Sequence, residues 1–153
     1  MNEKKLKKLQ TDVKSAQGMI AMSVILNLIF AFRTLVSKKL DFYFSYYVTA
    51  FLIKGSELYP QFSGNFSKTA VIISVVAIAV VSFILAALIQ KKTNLFSAFL
   101  AVYLADSAFM VYSLVANPLG DFSENSFIDV IFHAFVIIFT VVGIIADKKL
   151  KKQ

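Results

Sequence analysis

Five polar residues within otherwise apolar stretches carry the chemistry open to this chain: Asn27, Arg33, Asp106, Asp129 and His133. Asp106, in Tyr103-Leu104-Ala105-Asp106-Ser107, falls near the middle of the apolar run 95–116. A carboxylate at the centre of a membrane-spanning helix costs roughly 2.5–3.5 kcal/mol on the insertion scale, so something must compensate it. Protonation would remove the charge, and a cationic partner would keep it. Asp129 and the single histidine, His133, are four residues apart and share one helix face. Together with Asp106 they could exchange a proton or bind a cation, and their ligand types would also admit a metal. Nothing in their spacing singles out a metal, and none is expected. Arg33 is the only arginine; its planar fork suits a carboxylate in a way that a lysine does not.

Plainer roles compete for each residue. Arg33 can snorkel to an interface beside Lys38, and Asp129 can sit among headgroups at a helix N-terminus. His133 can hydrogen-bond a neighbouring helix, and Asp106 can bond Asn27 or His133 for structure alone.

The elements that must position these residues follow from composition. Of 153 residues, 58% are hydrophobic and 14% aromatic, and the mean hydropathy is +0.73. Soluble domains sit nearer 45–50% apolar, so the excess needs a bilayer as solvent. Four segments satisfy the requirement of about 20 apolar residues for a spanning helix: 18–37, 70–90, 95–116 and 126–146. The expected fold is therefore an all-α, integral membrane four-helix bundle in a single domain, 1–153. The link Lys91-Lys92-Thr93-Asn94 is short enough to make the second and third segments antiparallel neighbours. Pro118 and Gly120 end the third segment, and Asp121 with Glu124 resembles a capping box for the fourth.

Depth then groups the polar residues. At 1.5 Å per residue, Asp106 lies roughly 16 Å below the outer end of its helix, and His133 roughly 10 Å down the next. Asp129 lies one turn above His133, and Arg33 falls at a similar depth in the first segment. Asp129, His133, Val136, Thr140 and Gly143 form one stripe; Ser23, Asn27 and Thr34 form another. These stripes predict a polar seam between the first, third and fourth segments. The second joins through the small residues Ser74, Ala77, Ser82 and Ala86.

The net charge of +7 is distributed by topology. Lysines flank the apolar segments at 4, 5, 7, 8, 14, 91, 92, 148, 149, 151 and 152, against four at 38, 39, 54 and 68. The positive-inside rule places both termini in the cytoplasm, giving a multi-pass cell-membrane protein whose first segment is retained. Basic tails of residues 1–17 and 147–153 flank the bundle, the first as a helical extension bearing Leu6, Leu9, Val13 and Ile20. No basic face with interleaved aromatics points to nucleic acid. The expected partners are the lipid bilayer and a second copy or another membrane protein. With no cysteine, disulfides and thiolate sites are excluded.

The extracytoplasmic loop, 38–69, contains the aromatic-rich stretch 42–53. Tyrosine favours the headgroup boundary, which predicts an interfacial helix lidding the outer mouth; a bent extension of the first helix is the alternative.

Ile131-Phe132-His133, followed by Gly143-Ile144-Ile145-Ala146-Asp147-Lys148-Lys149 and preceded by a helix bearing Asp106, resembles a loosely defined group of small four-helix membrane proteins of Gram-positive bacteria. That resemblance covers about a third of the chain and implies topology and an interest in Asp106 and His133, with no assigned activity or cofactor. The small multidrug-resistance transporters carry a carboxylate in the first helix, where this chain has Asn27 and Arg33. No serine–histidine spacing, paired inward carboxylates or phosphate loop marks a membrane hydrolase or kinase. The leading expectation is a non-enzymatic accessory, sensing or immunity-type component, needing no cofactor. The alternatives are a small oligomeric transporter or channel using Asp106 and His133, and a lipid-acting intramembrane enzyme using His133 and Asp129.

Overall fold

A computed structural model describes residues 3–37, 46–57, 65–116 and 126–152. The described residues form five α-helices: α1 (Glu3–Ser37), α2 (Tyr47–Lys54), α3 (Lys68–Lys91), α4 (Phe96–Ala116) and α5 (Ser126–Leu150), with a 3-10 turn at Thr93–Leu95 joining α3 to α4. Four are long and apolar enough to cross a membrane, and they fall on the four predicted segments. Large apolar side chains stand exposed along them, among them Phe83, Val102, Val115 and Phe135. Water would not tolerate so much contiguous apolar surface on a small monomer.

α1 runs unbroken from the basic tail into its apolar half, as the spacing of Leu9 and Val13 predicts. Leu9, Val13, Ala16, Ile20, Val24, Asn27 and Ala31 are all buried. Steps of three and four residues keep them on one helical face. That face meets Phe132, Val136, Thr140, Gly143 and Ala146 of α5, buried at the same period, and α1 with α5 forms the most extensive interface in the bundle. The helices approach closely enough that a methyl group on Gly143 would collide with the side chain of Ala16 and press on the Phe96 ring. Small residues allow such contact between backbones, and van der Waals packing is what holds helices together where solvent exclusion does not.

α3 lies on the other side of α1. At the lysine-rich end the two are tied by side-chain amides. Gln17 Nε2 donates to the Ile89 and Gln90 carbonyls at 3.1 and 3.2 Å, and Gln90 Nε2 donates to the Gln17 carbonyl at 3.2 Å. The last carbonyls of α3, which have no partner within the helix, are thus satisfied by α1. Ser67 caps the other end, its hydroxyl accepting from the Ala70 amide at 3.2 Å. Val71, Val75, Ala86 and Ile89 are the buried residues of α3; of the small residues expected to join it to the bundle, Ala86 does so.

α4 packs on α5, and a polar clasp closes the lysine-rich end there. Thr93 Oγ1 donates to Asp147 at 2.6 Å, and Lys151 Nζ reaches Asp147 at 2.6 Å and Thr93 at 3.2 Å.

Two expectations are corrected. α3 and α4, joined by a three-residue turn, scarcely touch along their lengths, and α2 packs against both. Nor does α2 lie along the rim: Tyr47, Thr49, Ala50, Ile53 and Lys54 are buried, and its first residues reach the middle of α4. The physical reason is in its sequence. Tyr47-Val48-Thr49-Ala50-Phe51-Leu52-Ile53 has no charged face to turn toward water or headgroups, as an interfacial helix requires. A helix apolar all round is a buried one. Residues 42–45 of that stretch, and the capping box at Asp121 and Glu124, lie outside the described residues.

Candidate functional site

The start of α2 creates the central problem of this fold. A helix leaves its first N–H groups without intrahelical acceptors, and a buried orphan of this kind costs roughly 1–3 kcal/mol. Ser, Thr, Asp or Asn at the N-cap would accept one, but the N-cap is Tyr46, whose side chain makes no capping bond.

The acceptors come from other helices. Asn27 Oδ1 of α1 accepts from the Tyr46 amide at 2.9 Å. Asp106 of α4 spreads both carboxylate oxygens over the next two, Oδ2 accepting from Tyr47 and Oδ1 from Val48, each at 2.9 Å. The Thr49 amide closes on the Tyr46 carbonyl at 3.0 Å. Every amide at the α2 start is therefore bonded, two of them to the Asp106 carboxyl group at the positive end of the helix dipole.

His133 of α5 completes the cluster. Its Nδ1 lies 2.9 Å from the Asp129 carbonyl, and its Nε2 lies 3.3 Å from Asp106 Oδ2. The carbonyl can only accept, so Nδ1 carries a proton. The Nε2 contact ties α5 to the same carboxyl group that holds the start of α2. The His133 side chain is 3% exposed and that of Asp106 9%. Tyr103 stacks on the imidazole with ring centres 5.0 Å apart, and meets Tyr46 edge-on at 5.8 Å. Tyr47 and Phe51 in turn close on Phe109 of α4, at 5.4 and 5.1 Å.

Of the predicted residues, the structure joins Asn27, Asp106 and His133 around one helix start. Asp129 is buried and enters the cluster through its backbone carbonyl. Arg33 is exposed on α1, six residues beyond Asn27 along the helix. Ser23, Thr140 and Val136 of the predicted stripes are fully buried, while the side chain of Thr34 lies outside the described residues. Among the described residues no group of three His, Asp or Glu side chains is arranged to hold a metal.

Two features escaped sequence reasoning. Lys54, counted as a loop charge, is 2% exposed in the last turn of α2, where the negative end of the helix dipole favours a cation. The second is a cavity of about 350 Å³ between α3 and α4, on the lysine-rich side of the α2 start. Ala77, Val81 and Ser82 form one wall, Phe99, Val102 and Tyr103 the other, and Tyr46 and Asp106 the roof. Val81 and Val102 are exposed, so the cavity opens on the flank of the bundle. It exists because α2 wedges the two helices apart.

No family model, no curated protein and no solved structure matches the chain.

Proposed function

We propose that this protein is a multi-pass membrane component that works by binding, in an accessory, sensing or immunity-type role, rather than by turning over a substrate. The observation that carries this reading is the occupation of Asp106: both of its oxygens accept backbone N–H groups of α2. A carboxylate committed in this way, with its histidine partner bonded on both nitrogens, has a structural task already. It anchors a short helix inside the bundle. Both termini lie in the cytoplasm on this reading, as the lysine distribution requires.

The contact between Asp106 and His133 favours a second reading, a small transporter that moves a proton through this pair. Purified protein in vesicles containing a pH-reporting dye separates the two. Under an imposed pH gradient the binding reading expects vesicles with protein to leak no faster than empty ones. A flux abolished by His133→Gln would establish transport instead.

A further inference from the structure

We infer that the cavity between α3 and α4 seats one acyl chain of an anionic phospholipid, whose headgroup rests on Lys91 and Lys92. The inference goes beyond the role proposed above and rests only on its premise that the bundle lies in a bilayer. Its first support is the form of the cavity. The volume of about 350 Å³ lies within the range of small-molecule sites, and the apolar lining asks for no polar group from its occupant. Val81 and Val102 at the mouth are exposed, so the opening faces hydrocarbon. An entering chain is held from two sides by α3 and α4 and from above by the α2 start. A lipid against a plain helix face is touched on one side only. Each added contact is small, but their sum along a chain is large.

Length decides which lipid can enter. Asp106, in the roof, stands ten residues above Phe96, where α4 begins. At 1.5 Å per residue that is about 15 Å, half of a hydrocarbon core of about 30 Å. The groove therefore has the depth of one leaflet, the one at the lysine-rich end. α2 packs against both α3 and α4, which closes the groove to chains from the opposite leaflet.

Charge decides the headgroup. Ala77, Val81 and Leu85 line the cavity at four-residue steps. The same stripe continues through exposed Leu88 to Lys92, the C-cap of α3, with Lys91 beside it. Both lysines are exposed. At the same end Lys151 is spent on Asp147 at 2.6 Å, whereas neither Lys91 nor Lys92 has an ion pair among the described residues. Lys92 lies seven residues beyond Leu85, roughly 10 Å along the axis, which leaves room for glycerol and phosphate between groove and ammonium groups. Two cations at the foot of an apolar groove favour a headgroup of net negative charge over a zwitterionic one.

The test titrates the full chain in detergent with phosphatidylglycerol and with phosphatidylcholine of the same acyl chains, counting bound lipids by native mass spectrometry. One tightly held phosphatidylglycerol per chain is expected, on the order of tenfold tighter than phosphatidylcholine. Lys91→Gln with Lys92→Gln should erase that preference. Lys4→Gln with Lys5→Gln, an equal charge loss on the exposed start of α1, should keep it. Ala77→Phe, at an exposed position in the groove wall and so outside the core, should abolish the tight site for both lipids. Equal affinity for the two lipids, a preference lost equally with either lysine pair, or binding indifferent to Ala77→Phe would overturn the inference. So would a dimer that Ala77→Phe disrupts and lipid does not, because a second copy would then fill the groove. None of these outcomes bears on proton flux, so the lipid site can fail while the role proposed above stands.

Discussion

Asp106 and His133 face each other across 3.3 Å, and only one of the two could be replaced without disturbing α2 directly. His133 touches the carboxylate and the Asp129 carbonyl; Asp106 touches the helix start itself. The pair therefore has a direction, with α5 steadying α4 and α4 holding α2.

The first prediction concerns Asp106→Asn. An amide offers one oxygen and one NH2, while Tyr47 and Val48 both donate. Asparagine must leave one of them facing a second donor, so this near-isosteric change should cost about 1–3 kcal/mol, the penalty of a buried orphan N–H. Asp106→Leu should cost more, since it orphans both. Thermal unfolding in detergent checks the order. Because the chain lacks cysteine, Ala50→Cys, buried at 3% exposure, reports the consequence: a membrane-permeant thiol reagent should label it faster when Asp106→Asn is added.

Coupling across the pair is the second prediction. Asp106→Ala and His133→Ala should each destabilise, and the double variant should lose less than their sum, by about 0.5–3 kcal/mol for groups in direct contact. Strict additivity would mean the 3.3 Å approach carries no energy.

Four helices and the nearness of Asp106 to His133 were legible in the sequence. Runs of apolar residues fix spans by length, and counting 1.5 Å per residue along antiparallel helices fixes relative depth. What remained hidden was the buried α2. Its eight residues are too few to span, and tyrosines read as interfacial by habit of composition. The missed signal was negative: an apolar segment with no polar face and no capping side chain must find its acceptors elsewhere. Asn27 and Asp106 were visible as orphans of the membrane interior, but periodicity could not say that they answer the backbone of Tyr46, Tyr47 and Val48.

A third prediction tests the closest helix contact. Gly143→Ala places a methyl against Ala16 and should destabilise by about 1–3 kcal/mol, the usual cost of overpacking. Ala16→Gly in the same chain should restore most of the loss, since it vacates the space the new methyl takes. Failure of that rescue would place the clash on the Phe96 ring instead.

Topology supplies a fourth. Cysteine placed at Asn94, exposed between α3 and α4, should be shielded from an impermeant label in intact cells, whereas cysteine at Asn65, exposed before α3, should react. Labelling in the opposite sense would invert the protein in the membrane.

The polar anchor of α2 also imposes an order of assembly. Asp106 lies 59 and 58 residues beyond the two amides it accepts from. A ribosome delivering this chain to a membrane releases α2 well before α4 exists. Until then Tyr47 and Val48 must keep their N–H groups in water or at the lipid headgroups. α2 can take its fully bonded place only once α4 has brought the Asp106 carboxyl group to it. α5, whose largest interface is with α1, arrives last and brings His133 to a pocket already half built. A chain halted before α4 would leave the α2 start without its acceptor, and one halted before α5 would carry that anchor without His133 beside it.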